Sequence, residues 1–344
     1  MAVHDLAVKD NDLVVGTHGR SIWIFDDLTP VREWTGRTEP AHLFAPQEAI
    51  AWRYAGGPRE AMAGENPPRG AMLHYYLPEK PKGDIKIEIF DAQNRLVRTL
   101  SSKAREVTGR EEDEEEPKAE LQTEPGIQRG VWTLQWEGAR LIKDAKIDYG
   151  DPTEGPLVVP GTYTAKLTVD GREQTAKLVV KLDPRVKVSQ TDLEAEQAFA
   201  LQVRDAISRL TDNVVRLKSV REQLQNHVKV LAGDPRASEL IAMSKSLIDR
   251  LDTLEGRMHN PKAEVVYDIL ARKGGAMLYS RLSPLMSFVE DGDGAPTQGM
   301  KDVFAQQQKE LVQLEGELKG LVDRDLGTIQ LAARRLDLPF IVIR

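Results

Sequence analysis

The chain has 344 residues, 40% hydrophobic and 29% charged, a globular composition long enough for about two to three domains at ~150 residues each. Its 47 Lys and Arg against 54 Asp and Glu leave a net charge of -7, which argues against a general nucleic-acid binder, because that role needs clustered cations against phosphates. Cysteine is absent, excluding disulfides, thiol catalysis, zinc–thiolate sites and iron–sulfur clusters together.

No run approaches the ~18 consecutive apolar residues of a membrane span, so none is expected. The first residues show no basic segment followed by an apolar one, hence no visible signal peptide. His4, His18, His42, His74, His227 and His259 are scattered without H-x-x-x-H spacing, so no metal site is expected from local motifs.

The chain opens on strand-like runs at Leu6–Val8, Leu13–Val15 and Ile22–Phe25. Asn11-Asp12 and Thr17-His18-Gly19-Arg20 form the reversals between them, and Asp26-Asp27-Leu28-Thr29-Pro30 stops the segment. Residues 40–184 alternate at period two. Ile85–Phe90 and Leu96–Leu100 form a hairpin about Asp91–Asn94, and Pro160–Val169 and Thr175–Leu182 form another about Asp170-Gly171. Trp132, Leu134 and Trp136 share one face of their strand. With Tyr163 these aromatics suit either a carbohydrate face or a sandwich core, and the alternation favours core for at least two of them. Two long connections, roughly 55–70 and 102–128, interrupt this region. The second holds the acidic run Glu111–Glu116, read as a solvated loop with an ion or basic partner as the alternative.

Near residue 188 the periodicity changes to helical. Thr191 and Glu194 have capping-box spacing. Phe199, Val203, Ile207, Leu210, Val214, Leu217, Leu224, Val228 and Leu231 then step by three and four, with Arg221 as the charged break. Leu240–Met258 predicts a second helix. A third resumes after Gly274-Gly275 through Val289, and a fourth carries Val303 to Ile329. These seams predict an antiparallel bundle over 189–336, with a β-like tail at 337–344.

Sequence patterns for catalysis are missing: no G-x-S-x-G, no phosphate-binding glycine loop, no Glu-x-x-His di-iron set. No catalytic residue and no cofactor is therefore assigned. His18, Arg20, Asp26 and Asp27 are the local candidates for a ligand or propeller contact. Against that stands the simpler reading, in which Thr17–Arg20 hold a turn and Asp26-Asp27 end a strand.

Val3–Leu6 together with Asn11–Pro30 resembles the last blade of large bacterial BNR-repeat proteins, whose β-propellers are sortilin-like and are often labelled glycosyl hydrolases. The order blade, Ig-like sandwich, helical region is similar to that family, as are Gly161-Thr162-Tyr163, Leu182–Arg185 and Gly294–Thr297. The Asp-box S-x-D-x-G-x-x-W does not occur. The resemblance implies a multidomain α+β chain with a blade remnant at 1–30, an Ig-like β-sandwich at 40–184 and the bundle at 189–336. It implies that Met1 is not the true start, and that the protein is periplasmic or secreted if the true N-terminus carries a signal. The implied function is a non-catalytic accessory or interaction region following a ligand-binding propeller. Its partners are the propeller blades, with a protein, peptide or glycan ligand for the whole molecule. The alternative is part of a glycoside hydrolase whose active site lies on blades outside this chain.

Overall fold

The computed structural model describes residues 2–34, 36, 40–52, 66–104, 118–271, 274–292 and 294–339. The acidic run, most of the 55–70 connection and the last five residues of the tail lie outside the described residues. The protein is mixed α+β with several sheets, and it divides into two compact units. The first comprises Met1–Val107, Glu115–Glu137 and Leu157–Gln190. The second, among the described residues, comprises Gly138–Pro156 and the chain from Thr191 onward.

In the β-rich unit, β1 (Val3–Lys9), β2 (Asp12–Thr17) and β3 (Ile22–Phe25) form an antiparallel meander, followed by the short helix α1 (Thr29–Glu33). A second sheet joins β4 (His42–Leu43), β6 (Ala71–Leu77) and β9 (Gly126–Trp132). A third has the order β5-β13-β12-β7-β8, built from β5 (Ala49–Ala51), β7 (Lys86–Phe90), β8 (Leu96–Ser101), β12 (Gly161–Val169) and β13 (Arg172–Leu182). The strand β10 (Gln135–Glu137) precedes the chain's exit from this unit, and β11 (Glu154–Leu157) leads it back. Both hairpins expected from the alternation are present. Asp170 and Gly171, with φ of 46° and 79°, turn β12 into β13, the left-handed pair that an Asp-Gly reversal favours. Asp91 Oδ1 accepts the Gln93 and Arg95 amides and closes the β7–β8 turn. Side chains alternating inward from the second and third sheets make the core: Leu73, Tyr75, Ile87, Ile89, Trp132, Ala165, Leu167 and Leu178 are all buried. Trp136 and Tyr163 are buried with them, so these aromatics offer no carbohydrate face. The Gln174 amide crosses between the sheets, accepting from the Leu43 amide at 2.9 Å and donating to the Ala41 carbonyl at 2.8 Å.

In the helical unit, α2 (Gln190–Leu231) is followed by α3 (Ser238–Met258), α4 (Val266–Ala271), α5 (Leu278–Glu290), α6 (Gln298–Gly320) and α7 (Gly327–Arg335). The stretch expected as one fourth helix is divided by a π-helical segment, Leu321–Leu326, between α6 and α7. One apolar cluster runs through the unit, from Val203, Leu210 and Leu217 on α2 to Leu247 and Leu251 on α3, Leu282 on α5 and Leu311 and Leu318 on α6. Residues 138–156 belong to this unit although the sequence around them is β-rich. Ile142 sits in the helical cluster, its amide donating to Tyr279 Oη at 3.3 Å, while the Arg140 carbonyl accepts from Thr211 at 2.8 Å. Burial and the bond to Ile142 together leave the Tyr279 hydroxyl pushed up to about 12, burial being the larger effect. A Cβ at Gly138 would lie 2.1 Å from the Thr153 carbonyl oxygen, a backbone atom that cannot rotate away. Gly138→Ala is therefore expected to cost at least ~2 kcal/mol in urea unfolding followed by far-ultraviolet circular dichroism.

Candidate functional site

The four residues singled out from sequence lie at two ends of the meander. His18 and Arg20 are exposed at the β2–β3 reversal. The His18 amide donates to the Ala2 carbonyl at 3.0 Å, and its ring lies 5.3 Å from that of His4. The Arg20 carbonyl accepts from the Trp23 indole at 2.9 Å. Asp26 and Asp27 follow β3, whose four residues separate the two pairs by about 13 Å. The structure does not bring the two pairs together.

Asp27 is fully buried, in the left-handed region at φ 62°. Its carboxylate collects donors from well-separated parts of the chain: Asn11 Nδ2 at 3.0 Å, Gln47 Nε2 at 2.6 Å and the Thr29 amide at 2.9 Å on Oδ1, with His74 Nδ1 3.2 Å from Oδ2. Its own amide donates to Asp12 Oδ1 at 2.9 Å. Asn11 belongs to the β1–β2 turn, Asp12 opens β2 and His74 belongs to β6, so this carboxylate ties the meander to the rest of its unit. Burial opposes ionisation there, but the bonds from His74, Gln47 and Thr29 outweigh it and hold the carboxyl well below the usual range. Neighbouring Asp26 is shifted the other way, upward, by its own burial and then by Asp12, with Arg129 opposing. Sequence reasoning missed Asn11, Gln47 and His74 as partners; the one available signal was a His and two Tyr interrupting the apolar run Ala71–Leu77.

A His–Asp pair can fix an imidazole tautomer for base catalysis. Here the pair has no hydroxyl or thiol nucleophile bonded to His74 among the described residues, and His74 is itself buried. No cluster of three or more His, Asp or Glu able to hold a metal ion occurs among the described residues. What the bonds around Asp27 do is anchor the meander to β6.

The surface it anchors is unusual. Cross-strand partners share a face of a sheet, so the register places Leu6, Val8, Leu13, Val15, Trp23 and Phe25 together on one side. Ala7, Val14, Ile22 and Ile24 occupy the other, together with Asp5, Lys9 and Asp12. Both faces are open: Trp23 is 59% exposed on the first and Ile22 68% on the second. Comparison with protein-family models, with curated proteins and with solved structures finds no match.

Proposed function

We propose that this chain is a non-catalytic accessory and interaction region C-terminal to a ligand-binding β-propeller. In this reading the β1–β3 meander is the remnant of the last blade, followed by an Ig-like sandwich and an antiparallel helical bundle. The observation that carries it is that the meander exposes large apolar side chains on both of its faces. An antiparallel sheet at a protein surface ordinarily pairs one apolar with one polar face, whereas a propeller blade is covered by a neighbour on each side. The Asp27 anchor supports the same reading, since it fastens the blade to the domain that follows. For the sandwich, Tyr163 supplies a corner of the Ig-like kind: its hydroxyl donates to the Val159 carbonyl at 2.6 Å, four residues upstream at the entry to β12. The continuous seams of α2, α3 and α6 support the bundle.

The test follows Trp23. In the 344-residue chain, Trp23→Phe is expected to remove a red-shifted component of the fluorescence that acrylamide quenches readily. Extending the chain with the codons upstream of Met1 should shift that component to the blue and protect it. An in-frame stop immediately upstream of Met1, or an extension that leaves Trp23 equally quenched, overturns the proposal.

A further inference from the structure

The charged break in the α2 seam, Arg221, meets buried charge on α3. Its Nη1 donates to Glu255 and, at 2.6 Å, to Asp252. Glu255 is 2% exposed, and His259, one helical turn on, approaches its Oε1 at 2.9 Å through Nε2. Lys218 Nζ stands 3.6 Å from the same oxygen. Desolvation disfavours the Glu255 anion, yet the His259 and Arg221 bonds prevail and hold its carboxyl at about 2. A buried ion pair of this kind is a poor source of stability compared with apolar packing, so its place between α2 and α3 asks for another reason.

The reason lies in the space beside it. Lys218, Arg221, Asp252, Glu255, Asn260 and Lys262 line a cavity of about 560 Å³, within the size range of small-molecule sites. Arg221 commits Nη1 to both carboxylates, but among the described residues neither its Nε nor its Nη2 donates to a protein acceptor. The guanidinium is thus anchored through Nη1, with Nε and Nη2 unused. Lys262, on the same wall, has no acidic partner among the described residues. A guanidinium edge in a cavity also lined by two lysines matches the oxygens of a planar or tetrahedral oxyanion. We propose that this cavity binds the carboxylate or phosphate group of a small molecule. Arg221 supplies the directional contact, Lys218 and Lys262 supply charge, and Glu255 with His259 position Arg221. The site lies wholly within the helical unit and stands independently of the propeller reading.

Isothermal titration of the full chain at low ionic strength, with inorganic phosphate and with succinate against a matched chloride blank, tests this and separates the two anion types. At least one probe is expected to bind. The Lys218→Gln/Lys262→Gln double variant, which leaves the Arg221–Glu255 pair intact, should bind it at least tenfold more weakly. Arg221→Lys, which keeps the charge but loses the second donor edge, should do the same, while Lys229→Gln, elsewhere on α2, should bind like the parent. Absence of binding by both probes overturns the proposal, and so does equal affinity in parent and double variant with unchanged circular dichroism.

Discussion

Asp27→Ala is expected to destabilise the β-rich unit by about 3–5 kcal/mol, the range for removing one member of a buried charged network. The substitution strands Asn11 Nδ2, Gln47 Nε2, His74 Nδ1 and the Thr29 amide, all of which now bond or face the carboxylate. It also puts alanine at φ 62°, where Asp and Asn are tolerated better. Asp27→Asn keeps the backbone preference and one acceptor, so its cost should be smaller, about 2 kcal/mol. Both are measured by urea unfolding followed through tryptophan fluorescence. That signal reports on this unit alone, because all 5 tryptophans, at 23, 34, 52, 132 and 136, belong to it.

The same carboxylate sets a pH dependence. Its folded pKa is lowered, so ionised Asp27 stabilises the unit fully above the unfolded carboxyl value of ~3.9, and that contribution fades as pH falls below it toward the folded value. Stability of the parent should therefore drop on acidification below about pH 4 more steeply than that of Asp27→Asn, which has no such group to protonate. Equal slopes for the two proteins would show that Asp27 is not the controlling carboxylate.

Trp132→Ala is expected to cost about 4 kcal/mol in the same unit, within the range for truncating a fully buried aromatic. Trp132 is fully buried at the end of β9, its ring 5.3 Å from that of Tyr163 in an edge-to-face contact, and its indole donates to the Gln135 carbonyl at 2.9 Å. Alanine leaves a cavity between the second and third sheets and removes the indole's bond to the Gln135 carbonyl. Trp132→Phe retains most of the ring contact and loses only the hydrogen bond, so it should cost about 1–2 kcal/mol. The denaturation midpoint of the helical unit, followed by circular dichroism at 222 nm after the fluorescence transition is complete, should move little in either variant.

The candidate site was legible in part. Asp26 and Asp27 stood out because paired acids at a strand end are visible in a string of letters. Nothing in that string separates them, yet burial raises one carboxyl while a ring of donors depresses the other. His18 and Arg20 were grouped with them by proximity in sequence, but an intervening extended strand keeps neighbours in sequence apart in space. Arg221 was visible as a break in the α2 seam; its unused donor edge and the cavity beside it were not.

By itself the sequence determined the local elements. Alternation gave the β7–β8 and β12–β13 hairpins, Asp170-Gly171 gave the turn between the latter, and steps of three and four gave α2 and α3, because side-chain periodicity follows directly from backbone geometry. Tertiary structure alone decided which distant segments meet. It brought residues 11, 27, 47 and 74 onto one carboxylate and packed Ile142 among helices rather than strands. It also left large apolar side chains exposed on both faces of the meander. Those outcomes depend on contacts between residues far apart along the chain, where the cost of burying a charge or an amide is settled by partners that no local pattern encodes.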